Sequence, residues 1–196
     1  VIANAGTSFL VAFFKNLGIT LTQGDVAKPN SIFECILDII GIAIVPAICE
    51  EFAMRCCALG LLKNYGKAFG VVSVSVVFGL LHGNVIQFIF AFLVGLVLAY
   101  ITIKTESIIP AMCIHALNNG MSAVSDTVNY AAGKEVNITV GFFAFWLLVG
   151  IIATIYLAIK HKLTIPKDDG NCVLTLGEKV SSFFFPGMIL PFIVLI

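Results

Sequence analysis

The sequence predicts an all-α fold, a polytopic transmembrane helix bundle of about six to eight spans. Three observations carry that prediction. Of 196 residues, 60% are hydrophobic and only 11% are charged, where about a quarter would be charged in an average soluble domain. The mean hydropathy is +1.07. The apolar residues are gathered into runs near the length of a spanning helix, with short polar stretches between them. Basic and acidic residues balance to a net charge of zero, so the basic field of a nucleic-acid binder is missing. The lipid bilayer is the first partner this composition implies, and no nucleic acid is expected.

The elements follow in order. Residues 1–14 read as the end of one span. The chain opens on Val1 and stops within the apolar "PGMILPFIVLI", so it reads as a fragment, forming one integral membrane domain over 1–196. Lys15, Asp25, Lys28 and Pro29 mark 15–31 as a polar loop. The next run, 32–62, is long for one crossing, and Pro46 is expected to kink or break it. "LKNYGK" (62–67) reads as a turn. Residues 68–103 suffice for two short spans joined near Gly83-Asn84. A fifth span covers 107–129 with Pro110 and His115, and a sixth, 139–159, is uninterrupted by charge. A polar linker (160–181) and a truncated last span (183–196) complete the chain, and no internal repeat of 20–50 residues is evident.

Lysines in the short loops orient the bundle. If every run crosses, Lys63, Lys67, Lys104, Lys160, Lys162, Lys167 and Lys179 share one side, against Lys15, Lys28 and Lys134 on the other. The first side is assigned to the cytosol. The six cysteines (35, 49, 56, 57, 113 and 172) lack CxxC spacing and read as small core hydrophobes rather than as a disulfide or zinc framework.

Against this apolar background six residues stand out: Glu50, Glu51, Arg55, His82, His115 and Asn119. A charged group at mid-membrane costs about 2.5–3.5 kcal/mol on insertion scales, so such a residue is by default a functional candidate. Residues four apart share a helix face. Glu51 can therefore pair with Arg55, while Glu50, turned about 100° away, is left freer to project elsewhere. His115 and Asn119 share a face, as do Phe78 and His82. At ~1.5 Å per residue, Glu50, His82 and His115 lie ~18, ~21 and ~12 Å from the cytosolic ends of their spans, at roughly one level.

A carboxylate and an imidazole that share a water can make it nucleophilic. A second imidazole and an amide can donate to an oxyanion. These parts suit amide hydrolysis by activated water. Glu50, Glu51, His82 and His115 are equally zinc-ligand types, so a metal-bound water is the other version, and the residue types alone do not separate the two.

"EEFAMR" (Glu50 to Arg55) resembles the EExxxR motif of the CPBP family of intramembrane proteases, which groups CAAX prenyl endopeptidases with bacteriocin-processing and self-immunity (Abi) proteins. "FGLLH" (Phe78 to His82) resembles its FxxxH motif, and "HALNN" (His115 to Asn119) its HxxxN motif. The resemblance covers about 32–160. It implies an all-helical membrane fold with a cavity open to the cytosol or bilayer, in a multi-pass protein of a bacterial cell membrane. It also implies an endopeptidase acting on a membrane-associated peptide or protein. Carried over, Glu50 and His82 would activate water, His115 and Asn119 would hold the oxyanion, and Glu51, Arg55 and Phe78 would support them. The family has been described both as metalloproteases and as metal-independent glutamate proteases. The metal-free version, requiring no cofactor, is favoured here. Many bacterial members carry an aromatic before the arginine and a glycine after it, where this chain has Met54 and Cys56. Two readings compete: a non-catalytic scaffold or immunity protein that keeps the polar cluster, and a small transporter, for which the missing repeats speak less well.

Outside the motifs, Glu34 and Asp38 are expected at the outer interface, and Gly95 at a close helix contact. Asn118 could exchange places with the neighbouring Asn119.

Overall fold

The computed structural model describes residues 28–133 continuously, together with 12–13, 15–18, 148, 152, 155–156, 159 and 174–183. The expected spans at 1–14, 139–159 and 183–196 fall wholly or largely outside these residues. Among the described residues there is no strand.

Helix α1 runs from Ile32 to Tyr65. Its start is fixed by a reciprocal cap: Ser31 Oγ accepts the Glu34 N–H at 3.1 Å, and Glu34 Oε2 accepts the Asn30 N–H at 2.7 Å. One orphan donor of the first turn, and the N–H just ahead of the cap, are thereby satisfied. Pro46 does not break the helix. Its ring would clash with the carbonyl four residues back, and the turn just before it is widened into a π segment, Ile39–Ile44. The Val45 N–H there reaches Ile40 O, five residues back. A second π segment, Phe52–Ala58, ends with the Leu59 N–H on Met54 O. Glu50 and Glu51 close the α-helical stretch Val45–Glu51 that separates them. Departures of this kind from the α-helix recur at functional sites.

The C-terminal turn Lys63–Tyr65 is 3-10, and Gly66, at φ 127°, turns the chain into α2, Lys67–Leu80. Gly83 (φ +71°) then leads to α3, Val85–Thr105. Asn84 caps α3, its Oδ1 accepting the Gln87 N–H at 2.8 Å. The 68–103 run is thus a helical hairpin, as expected. Its two arms approach closely where they lack side chains. A Cβ on Gly79 would stand 2.8 Å from Phe88 O, and one on Gly95 3.2 Å from Ser75 Cα.

Helix α4, Ile109–Ala132, has Pro110 in its first turn, where no N–H partner is needed, and stops at Gly133 in the left-handed region. It packs against the first π segment of α1, with Gly120 over Ala43. Helix α5, Leu176–Phe183, lies largely inside the stretch expected to be linker.

The buried centre is small: Leu59, Val74 and Ala99, flanked by Met54, Ala58, Val71 and Ile103. Large apolar side chains such as Phe52, Val97 and Leu117 point outward. Among the described residues two helices, α1 and α3, are long and apolar enough to cross a membrane, and α2 is a shorter apolar helix. The cysteines correct the sequence reading. Cys35 is buried, but Cys49, Cys56, Cys57 and Cys113 are exposed. Cys56 borders the cavity described below, and Cys172 lies outside the described residues.

Candidate active site

The polar residues of α1 and α4 form one connected chain of hydrogen bonds. Arg55 Nη1 donates to Glu51 Oε1 at 2.9 Å. The same oxygen receives His115 Nδ1 at 2.8 Å. Asn119 Nδ2 lies 3.1 Å from His115 Nε2 and donates to Ile42 O at 3.2 Å. Asn118 Nδ2 donates to Asn119 Oδ1 at 3.2 Å. Glu51, Arg55 and His115 are almost fully buried, at 0%, 2% and 3% exposure. Burial at this level requires mutual compensation, because an isolated charge in so dry a place is costly.

Donor logic fixes the sense of the chain. Ile42 O can only accept, so the amide nitrogen of Asn119 must face it. The other N–H of that nitrogen points at His115 Nε2, which must then be the unprotonated ring nitrogen. The His115 proton sits on Nδ1 and is given to the Glu51 carboxylate. A carboxylate behind an imidazole sets tautomer and ring orientation in this manner in other hydrolytic sites.

Glu50 stands apart. Its side chain is 42% exposed, and its Oε2 lies 3.9 Å from His115 Nε2. At that separation a single water fits as a bridge between the two atoms. The one-residue step from Glu51 to Glu50 thus changes a buried, committed carboxylate into an accessible one.

Phe78 joins the two histidines. Its ring meets His115 edge-on with centroids 5.8 Å apart, and His82 likewise at 5.1 Å. Arg55 Cζ sits 4.6 Å from the centre of the same ring. His82 Nδ1 is 2.8 Å from Phe78 O, which accepts its proton and leaves Nε2 as the ring's available nitrogen. Among the described residues no hydrogen bond joins His82 to Glu50 or His115. Arg55 also reaches across to α3, with Nη2 3.4 Å from Gly95 O. Glu51 Oε2 and Arg55 Nε are buried with no hydrogen-bond partner among the described residues.

A zinc site asks for three or more converging donors. Among the described residues no group of three His, Cys, Asp or Glu side chains converges. Both nitrogens of His115 are already engaged, and Glu51 Oε1 is shared by Arg55 and His115. This donor arrangement does not fit a resident zinc, and the chemistry below is derived without one.

A cavity of about 800 Å³ opens beside the C-terminal half of α1, lined by Arg55, Cys56, Lys63, Lys67, Thr102 and Ser107 among others. Glu50, His82 and His115 do not line it, so it is separate from the reactive groups.

Sequence reasoning paired Glu51 with Arg55 and set Glu50 apart, and the structure places these side chains so. It missed that Glu51 rather than Glu50 takes His115, and that the Ile42 carbonyl seats Asn119. The proline at position 46 was the available signal for the second.

Residues 32–121 match the family model described as type II CAAX prenyl endopeptidase Rce1-like. No curated protein and no solved structure matches the chain. The matched stretch contains Glu50, Glu51, Arg55, Phe78, His82, His115 and Asn119. The matched family is one of membrane-embedded proteases, in keeping with the two long apolar helices. Over residues 32–121, then, this chain matches the CPBP family of CAAX proteases.

Proposed function

We propose that this protein is an intramembrane endopeptidase that hydrolyses a peptide bond in a membrane-associated peptide or protein, using water activated by Glu50. The observation that carries the reading is the 3.9 Å gap between the exposed Glu50 carboxylate and the His115 imidazole. That imidazole is held from behind by the buried Glu51–Arg55 pair. One carboxylate is free to take a proton, and the other is committed to holding the ring.

Glu50 accepts a proton from water held in that gap, and the oxygen adds to the scissile carbonyl carbon. The carbonyl π electrons move onto oxygen. In the resting arrangement both N–H groups of Asn119 are occupied. The developing oxyanion is a stronger acceptor than a neutral imidazole nitrogen, so one Asn119 N–H transfers to it. His115 Nε2 then has a free lone pair facing Glu50 and can share the proton drawn from water. Collapse of the tetrahedral species breaks the C–N bond, and the same proton goes to the departing nitrogen. His82, through Nε2, completes the polar wall beside Phe78. The substrate class follows the family's description, a peptide bearing a prenylated CAAX-type end. The setting is a multi-pass protein of a bacterial membrane.

The test is cleavage of a fluorogenic farnesylated CAAX-type peptide by detergent-purified protein, with and without chelator. Glu50→Gln should lower kcat by about 10²–10⁴-fold, the usual contribution of a general base, and chelator should leave the wild type active. Equal turnover by Glu50→Gln and wild type would remove Glu50 from this role. Loss on chelation that zinc restores would replace the metal-free step.

A further inference from the structure

Asn119 cannot orient itself. An amide can present either oxygen or nitrogen to an imidazole, and the two choices place the His115 proton on opposite ring nitrogens. Two acceptors decide together: Glu51 Oε1, which takes the Nδ1 proton of His115, and, on the far side of Asn119, the carbonyl of Ile42. In an uninterrupted helix that carbonyl would take the N–H of residue 46. Residue 46 is proline and has none to give. The turn ending just before it is π-helical, and the Ile42 carbonyl meets the α4 side chain 77 positions along the chain at 3.2 Å. Asn118 Nδ2 on Asn119 Oδ1 locks the same orientation from the other side. Close packing of α4 on this turn, with Gly120 over Ala43, keeps the partners within reach.

We infer that Pro46 is a positioning residue for the reaction. By withholding an N–H from the Ile42 carbonyl it leaves an acceptor for Asn119, and the amide so oriented keeps His115 Nε2 unprotonated and facing Glu50. The inference rests on the protease reading for its catalytic consequence, but the hydrogen-bond wiring stands on geometry alone. A helix proline is ordinarily a liability. Here the missing donor is the useful property, more than the ring.

Two variants separate the restored donor from helix propensity. Pro46→Ala restores the N–H in a strong helix former. Pro46→Gly restores the same N–H while leaving the helix weak. Each is combined with Asn119→Ala, and midpoints of thermal unfolding in detergent are measured for the full cycle. Asn119→Ala should lower the midpoint in the wild-type background. In the Pro46→Ala and Pro46→Gly backgrounds it should change the midpoint by less than half as much. An equal cost of Asn119→Ala in all three backgrounds overturns the wiring.

Turnover of the farnesylated peptide is then read on the single variants. Pro46→Ala and Pro46→Gly should each lower kcat about tenfold, leave KM within about twofold, and leave the midpoint of Pro46→Ala at or above that of the wild type. Unchanged kcat in both overturns the positioning role. If the wild type does not cleave the peptide, the protease reading fails, while the unfolding cycle still decides whether Pro46 sets Asn119.

Discussion

Arg55 is the chain's only arginine, and its side chain touches three helices: Glu51 on α1, the Phe78 ring on α2 and Gly95 O on α3. Lysine offers a point charge where guanidinium offers a planar fork able to pair, stack and bridge at once. Arg55→Ala leaves Glu51 buried without its cation and should cost about 3–5 kcal/mol of stability, the penalty for breaking a buried pair from one side. Arg55→Lys should cost less but still lower the unfolding midpoint, because the ring and the Gly95 carbonyl lose their partner. Denaturation in mixed micelles checks both, and a wild-type midpoint for Arg55→Lys would show that charge alone suffices. Much of this arrangement was legible in the sequence. Helix geometry sets residues four apart on one face, so Glu51–Arg55 and His115–Asn119 follow from spacing. Which carboxylate meets His115 does not follow. It depends on how α1 is rotated toward α4, and that rotation passes through two π segments, of which Pro46 marks the first and no local pattern marks the second.

At the scale of elements, the glycines and the caps decide. The α2–α3 hairpin closes around Gly79, whose added Cβ would collide with a backbone oxygen at 2.8 Å, whereas Gly60 has nothing within 4 Å. Gly79→Val should therefore destabilise by about 1–3 kcal/mol or more through overpacking, and Gly60→Ala should be neutral or slightly stabilising. Comparing their unfolding midpoints checks the contrast, and equal effects would contradict the close approach. The small neighbours of Gly95 predict its close contact, and nothing marks Gly79, since glycine alone does not say which face is crowded. The S-x-x-E cap at Ser31 and Glu34 was equally readable but was passed over for an interfacial role of Glu34.

A second such cap starts α5, in the polar stretch outside the spans. Glu178 Oε2 accepts the Thr175 N–H at 2.7 Å and its hydroxyl at 2.8 Å. The backbone bond, then the hydroxyl, holds this carboxyl below the ordinary glutamate range. A lowered folded pKa means that the cap's contribution is present above the ordinary glutamate value and is lost as pH falls through the lowered one. Amide exchange in α5, corrected for intrinsic rates, should be steady at neutral pH and accelerate below the usual carboxylate range. Glu178→Gln should remove that dependence, and a flat profile in the wild type would mean that the cap does not hold α5.

The whole molecule reverses the economy of a water-soluble bundle. Among the described residues its buried centre is built of small and aliphatic side chains and Phe78, with the Glu51–Arg55–His115 network inside. Its larger side chains, among them Ile32, Phe33, Phe52, Val97 and Leu117, are turned outward. Without water, apolar burial does not drive helices together, and close packing of small residues with buried polar contacts takes over. Outward apolar faces are then the lipid surface, and their tolerance of charge should depend on depth. Val97 sits in the middle of α3 and is 51% exposed. Leu61, near the C-terminal end of α1, is 69% exposed. Val97→Arg should cost about 2.5–3.5 kcal/mol at insertion and sharply reduce the membrane-integrated fraction. Leu61→Lys, able to extend its ammonium to the headgroups, should integrate nearly as the wild type does. Carbonate extraction of membranes expressing each variant measures the integrated fraction. The contrast rests mainly on depth, since both sites face outward and both substitutions introduce a cation. Equal integration of the two variants would place Val97 away from the lipid core.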